Sequence, residues 1–243
     1  MSEEEKEMTI WDHLGELRNR LFFALISLVF TTLISFIFAG RFVQWLTIPA
    51  GGLQNLMAIE VTENISVFMK VSLLSGFILA LPFILYQLLA FVMPGLTDSE
   101  RRWVIISIPM ASVFFLLGVA FCYFVMLPAA IPFLVGFLGV KTTPRLSSYI
   151  SFVSNMMFWI GVSFELPLVV FILAKINIVT AKMLANQWRI AIVFIAIMAA
   201  VVTPTPDPVN MSIMMAPLMV LYVLSIFFAF IARRGRSDPV KKP

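Results

Sequence analysis

The stretch "LFFALISLVFTTLISFIFA", residues 21 to 39, decides the fold class, because it contains 19 consecutive residues without a formal charge. As an α-helix it would be about 28 Å long, which matches the roughly 30 Å hydrocarbon core of a lipid bilayer. The stretch therefore predicts a transmembrane helix. The preceding residues begin acidic and end basic, "MSEEEKEMTIWDHLGELRNR", which is the reverse of a cleaved secretory signal peptide.

The whole chain has the composition of an integral membrane protein. Of its 243 residues, 61% are hydrophobic and 12% are charged, and the mean hydropathy is +1.00. Soluble domains are about 45 to 50% apolar and about 25% charged. We therefore predict one membrane domain, residues 1–243, with an all-α fold.

Further apolar runs predict a bundle of six transmembrane helices. The predicted spans are residues 21–39, 71–93, 103–127, 150–174, 188–202 and 211–232, with bounds that are approximate. The fifth span has 15 residues, about 22 Å of helix, and is short for a bilayer. Residues 127–140 are also apolar, but their two prolines and two glycines favour an interfacial segment over a further span.

The positions of Lys and Arg predict the orientation. Thirteen of the 17 basic residues fall in the two termini and in the loops between spans 2 and 3 and spans 4 and 5. The other four are Arg41, Lys70, Lys141 and Arg145. Because cytoplasmic loops collect positive charge, both termini are predicted to be cytoplasmic. The long loops at about 40–70 and 128–149 then form a cap on the outer, periplasmic surface.

The inventory of reactive side chains argues against an enzyme. His13 is the only histidine and Cys122 the only cysteine, and no phosphate-binding Gly-rich loop or metal-ligand spacing occurs. Paired-histidine haem ligation and a Ser-His dyad inside the membrane are both excluded. We predict no catalytic residue, no metal site and no cofactor.

Two cytoplasmic carboxylates are candidate binding residues, and each also has a structural explanation. Ile10, Leu14, Leu17 and Leu21 recur at helical spacing, which predicts an apolar stripe with His13, Glu16 and Arg20 on the wetter side. Glu16 is spaced for an exposed i,i+4 ion pair with Arg20. Glu100 follows Thr97 at the spacing of a capping box for the third span.

A third acid, Glu165, lies ten residues before Lys175, about 15 Å up the fourth span and near the bilayer centre. A carboxyl group there costs roughly 2.5 to 3.5 kcal/mol on insertion scales. Either Glu165 is protonated and bonded to a Ser or Thr of its own bundle, or it meets a polar partner helix that approaches at Gly161, one turn away.

Four motifs in order resemble the TatC family, the multispanning core of the twin-arginine protein translocase. They are "HLGELRNRL" (13–21), "FVMPGLTDSERR" (91–102), "FELPLVVF" (164–171) and "TPTPDP" (203–208). The resemblance implies a curved, glove-like bundle in the cytoplasmic (inner) membrane. It implies that the protein receives folded cargo through signal peptides with consecutive arginines, assembles with single-span TatA-type and TatB-type partners, and uses the proton-motive force.

The resemblance also implies roles for individual residues. Glu16 and Glu100 are expected to receive the arginine pair, Glu165 with Pro167 to meet the partner helix, and Asp207 to lie in an outer loop. Asp207 in "TPTPDP" is equally suited to starting a turn beside proline. The other residues assigned to signal-peptide binding are His13, Arg18, Pro94, Leu96 and Arg101.

Two other functions remain open from the residues alone. A proton-coupled secondary transporter would use Glu165 as its protonation site, and it would contain inverted halves with interrupted helices at matching positions. No such internal repeat is apparent in the sequence. An inert scaffold subunit of a respiratory complex would leave the cytoplasmic acids without a ligand.

Overall fold

The computed structural model describes residues 10–95, 97–136, 143–202 and 208–233, and these ranges are helical and contain no strand. The predicted all-α fold is thus confirmed for them. The helices are α1 (Ile10–Thr47), α2 (Glu63–Val92), α3 (Asp98–Phe121), α4 (Leu127–Gly136), α5 (Leu146–Phe164), α6 (Leu166–Lys175), α7 (Ala181–Asn186), α8 (Trp188–Val202) and α9 (Pro208–Arg233).

Five helical stretches in the described ranges are long and apolar enough to cross a membrane. They are Trp11–Ala50, Glu63–Val92, Arg101–Gly136, Leu146–Lys175 and Met211–Ala232. The fifth predicted span corresponds to α8, an apolar helix of only 15 residues.

The third helix continues beyond the end of its predicted span. A π-helical turn at Cys122–Met126 joins α3 to α4, and the Leu127 N–H donates to the Cys122 carbonyl. Helix α4 then runs to Gly136 although Pro132 lies inside it. We predicted that the third span ends at Leu127 and that residues 127–140 form an interfacial segment, whereas the apolar helical stretch runs on to Gly136. The wider π turn shifts the hydrogen-bond register at this point, and the helical path is preserved.

Glu165 lies at a break in the fourth span, between α5 and α6. Its backbone N–H donates to the Val162 carbonyl (3.1 Å), and its own carbonyl accepts from the N–H groups of Leu168 and Val169. Pro167 has no N–H to donate, and it occupies the first turn of α6, where proline is tolerated. The carboxyl group is therefore attached at a helix junction rather than in the middle of a continuous helix.

Small residues set the closest helix contacts. A Cβ atom added to Gly76 of α2 would lie 2.6 Å from the Thr32 Cα of α1, and one added to Gly118 of α3 would lie 2.9 Å from the Gly161 Cα of α5. Gly161 also faces the ring of Phe115, 2.6 Å from where its own Cβ would be. The expectation that Gly161 leaves room for a partner helix is therefore wrong, because α3 of the same chain fills that space.

The two loops that are predicted to face outward are joined by a buried carboxylate. Glu63 accepts hydrogen bonds from the N–H groups of Ile59 (2.9 Å) and Ser147 (2.6 Å) and from the Arg145 Nε (3.1 Å). Arg145 also pairs with Glu60 at 2.8 Å. Glu63 lies about 12 Å before the predicted second span. Burial would raise its pKa, but the backbone hydrogen bonds lower the pKa to about 2. The carboxylate thus stays charged in the predicted cap.

Candidate functional site

An open groove lies between the start of α1 and the end of α2. Its volume is about 690 Å³. It is lined by Trp11, Asp12, Gly15, Glu16, Asn19, Arg20, Phe23, Tyr86 and Gln87. Seven of these nine residues come from successive turns of α1, and α2 supplies the other two. The groove therefore exists only while these two helices stay packed together.

The first turns of α1 are held against α2 by an aromatic stack. The His13 and Phe91 rings lie 4.2 Å apart between centroids, with 17° between their planes. Helix α1 therefore turns its polar side towards α2, while Leu14 and Leu21 are each 49% exposed. The prediction that the polar side is the wetter one stays a prediction, because that side lines an open groove. In a membrane protein the apolar stripe can face lipid, so polar residues are free to pack against protein.

Glu16 makes the predicted pair with Arg20 but uses only one of its oxygens. The Arg20 Nε donates to Oε1 at 2.8 Å, and the Arg20 Nη2 bonds to the same oxygen. Oε2 is buried and has no hydrogen-bond partner among the described residues. The His13 Nδ1 is 3.9 Å from Oε2, which is too long for a hydrogen bond. The ion pair with Arg20 therefore explains only part of the role of Glu16, because the Oε2 atom remains as an unpaired acceptor in the groove.

The structure describes only some of the other predicted binding residues. Helix α3 begins at Asp98, directly after Thr97, and Glu100 belongs to its first turn, but the Glu100 side chain is outside the described residues. Leu96 and Asp207 also lie outside the described residues. The meeting of Glu16 with Glu100 stays a prediction.

Three more of the predicted binding residues lie on the surface near the ends of these helices. Pro94 is exposed in the short turn after α2, and Arg18 and Arg101 are exposed on α1 and α3. None of the three lines the groove. Among the assigned signal-peptide residues whose side chains the structure describes, His13 and Glu16 are the two that it brings together with α2.

Sequence reasoning missed the two residues that α2 supplies, Tyr86 and Gln87. Gln87 is only 8% exposed. A signal was available, because Gln87 is the only amide side chain in the predicted second span and follows the only tyrosine there. We treated that span as uniformly apolar and so did not ask what its amide faced.

Glu165 has a buried polar atom within the bundle. Its Oε1 has no hydrogen-bond partner among the described residues. The neighbouring Ser163 hydroxyl donates instead to the Trp159 carbonyl at 2.7 Å. Val162, Leu166 and Val169, on either side of Glu165 in the chain, are all exposed. The Glu165 side chain is therefore half-buried beside an apolar outer surface, and its Oε1 is turned into the bundle.

Comparisons with known proteins agree with the four motifs. A family model described as "Sec-independent protein translocase protein (TatC)" matches residues 12–217. The protein of that name from Carboxydothermus hydrogenoformans is 37% identical over 229 residues, covering 93% of this chain and 94% of its own. The relative from Deinococcus radiodurans is 36% identical over 243 residues, covering 96% and 90%.

A solved structure has the same fold. A crystal structure described as the twin-arginine translocase receptor TatC superimposes with a TM-score of 0.81 at 35% identity, covering 91% of this chain and all of that one. The members of this family are translocase components and not enzymes. The chain is a multi-pass membrane protein that belongs to the TatC family of Sec-independent protein translocase proteins.

Proposed function

We propose that the protein captures twin-arginine signal peptides of folded cargo in the groove between α1 and α2. The observation that carries this proposal is the Glu16 Oε2, a buried acceptor that lines an open groove and has no hydrogen-bond partner among the described residues. A buried acceptor left unpaired costs about 1 to 3 kcal/mol, so a donor that reaches it is favoured. A guanidinium group is such a donor.

The proposed membrane arrangement has six spans in a curved bundle, with both termini in the cytoplasm. The distribution of Lys and Arg supports this orientation. It places the groove, which lies at the first turns of α1, on the cytoplasmic side, where a signal peptide arrives before export. Helix α8 is the fifth span and, at about 22 Å, thins the bilayer beside it.

The chemistry of the groove favours arginine. A guanidinium group presents five N–H donors in a rigid planar fork that bonds a carboxylate through two parallel hydrogen bonds. A lysine ammonium is a compact, strongly hydrated point charge. We assign Glu16 to one arginine of the pair and Glu100, in the first turn of α3, to the other. Asp207 then serves the outer surface and not the signal peptide.

Photo-cross-linking tests this function. A photoreactive amino acid at Asn19, an exposed position that lines the groove, should capture a signal peptide with two arginines. It should capture much less of the same peptide with two lysines. A photoreactive residue at Gln44, on the opposite end of α1, is the matched control. Equal capture of both peptides at Asn19, or equal capture at Gln44, would remove the basis of the proposal.

We further propose that Glu165 meets a polar side chain of a TatA-type or TatB-type partner helix. Its Oε1 is buried without a hydrogen-bond partner among the described residues, beside exposed Val162, Leu166 and Val169. An interhelical hydrogen bond in a membrane contributes about 0.6 kcal/mol on average and at most about 2 kcal/mol. That size suits a reversible assembly that re-forms with each cargo and uses the proton-motive force instead of nucleotide.

Glu165→Ala should therefore reduce the amount of partner protein that co-purifies by roughly 3- to 10-fold, the effect of about 0.6 to 1.4 kcal/mol. Signal-peptide binding at the distant α1 to α2 groove should be unchanged. Quantitative co-purification from membranes measures the first effect and a peptide titration the second. Unchanged recovery of partners would assign Glu165 to the chain's own packing.

A further inference from the structure

Gln87 is a polar side chain in a position where the fold gives it nothing to bind. It lies in α2, five residues before the helix ends, and it is 8% exposed. It lines the groove together with Glu16. No hydrogen bond to its amide group is found among the described residues. The amide atoms are not among the buried polar atoms that lack a partner, so the amide end of this largely buried side chain is open to the groove, where a ligand can reach it.

The groove therefore has an acceptor on each of its two helices. One is the Glu16 Oε2 of α1, which is buried and has no hydrogen-bond partner among the described residues. The other is the side-chain carbonyl oxygen of Gln87 in α2. Asp12 and Asn19 also line the groove, and Arg20 donates to the Glu16 Oε1. The exposed Trp11 and Tyr86 rings flank the same space, and aromatic faces attract cations. The groove is thus built for a cationic donor that reaches acceptors on two sides at once.

We propose that Gln87 and Glu16 together bind one guanidinium group of the signal peptide, and that Gln87 is the residue that distinguishes arginine from lysine. This inference rests on the proposed function and assigns a specificity residue to it. A planar guanidinium directs N–H groups to opposite edges, so one edge bonds Glu16 and another bonds Gln87. An ammonium concentrates its donors on a single nitrogen, satisfies Glu16 by charge, and gains little from an amide across the groove.

A peptide titration of the full-length protein in detergent tests this role. Gln87→Met keeps the length and volume of the side chain and removes its polar atoms. We expect it to weaken binding of the two-arginine peptide by about 5- to 10-fold, since a hydrogen bond to a charged group is lost. Binding of the two-lysine peptide should change by less than about 2-fold, so that the preference for arginine shrinks. Gln44→Met, an exposed glutamine at the other end of α1, should leave both affinities as they are.

A second variant separates a binding role from a packing role. Gln87→Asn keeps the amide but withdraws it by one methylene group, and it should also lose preference for arginine while thermal unfolding shows a folded protein. Equal weakening of both peptides in both variants, or an unchanged preference in both, would overturn the assignment of Gln87. A wild-type protein with no preference for arginine would instead overturn the proposed function itself, so the two failures are distinguishable.

Discussion

Glu16→Gln should lower the affinity for a two-arginine signal peptide by about 10- to 100-fold. The substitution keeps the shape of the side chain and removes the charge that strengthens its hydrogen bonds. Hydrogen bonds to charged groups contribute about 1.5 to 3 kcal/mol, and each 1.4 kcal/mol is a factor of ten in affinity. Fluorescence titration of a labelled peptide against the purified full-length protein measures the change.

Two control variants make this result specific. Glu60→Gln removes an exposed acid that pairs with Arg145 in the predicted outer cap, and it should not affect peptide binding. Arg20→Gln removes the cation that already occupies the Glu16 Oε1, so it should leave peptide affinity unchanged or raise it. A loss of affinity in Arg20→Gln equal to that in Glu16→Gln would mean that the ion pair itself, and not a free carboxylate oxygen, is what the peptide needs.

Gly76→Val should destabilise the protein and remove the groove. A Cβ atom at position 76 would lie 2.6 Å from the Thr32 Cα and 2.8 Å from the Thr32 N, so it meets backbone that cannot rotate away. The Thr31 hydroxyl also donates to the Gly76 carbonyl at 2.8 Å across the same contact. Overpacking of this kind costs about 1 to 3 kcal/mol. Because the groove lies between α1 and α2, separating these helices should weaken peptide binding as well.

Thermal unfolding in detergent and the peptide titration together measure this effect. Gly136→Val is the matched control, because a Cβ atom at this last residue of α4 has no heavy atom of the described residues within 4 Å. The control should therefore be as stable as the parent protein. Full stability of Gly76→Val would show that α1 and α2 are not held at this contact.

Apolar runs and charge spacing predicted much of the helical architecture. The run at 21–39 lies within α1, and the i,i+4 spacing of Glu16 and Arg20 predicted their ion pair correctly. Local spacing did not predict which side of α1 packs against α2, because that depends on whether the other side faces water or lipid. The amphipathic rule for water-soluble proteins turns the apolar stripe inward, whereas in this chain Leu14 and Leu21 are exposed and the polar side of α1 packs on α2.

Contacts between distant parts of the chain were the second feature that the sequence did not predict. Glu63 and Arg145 are 82 residues apart, and Glu16 and Gln87 come from different helices, so no local pattern relates them. Their chemistry was nevertheless visible. Glu60 and Glu63 are acids between the first two predicted spans, in the same segment as Arg41 and Lys70. Gln87 is the single amide of its span. An acid, a base or an amide in an apolar context needs a partner, and the structure is required to show which one.

Family membership decides between the functions that the residues left open. A proton-coupled transporter would use Glu165, and an inert scaffold would use only the bundle. Neither function assigns a ligand to the groove at the start of α1. The TatC relatives are named as protein translocase components. A groove with an unpaired acceptor suits a receptor for a cationic peptide. The proposed role of Glu165 is then assembly rather than proton transport.

The most direct measurement is residue-level mapping of the cross-link between Asn19 and a bound signal peptide. Asn19 lines the groove next to Glu16 and Arg20 in the structure. Mass spectrometry of the adduct should place the modified peptide residue at the arginine pair or immediately beside it, and Glu16→Gln should abolish the adduct. An adduct confined to the apolar segment of the peptide, or one that persists undiminished in Glu16→Gln, would show that the arginines bind elsewhere.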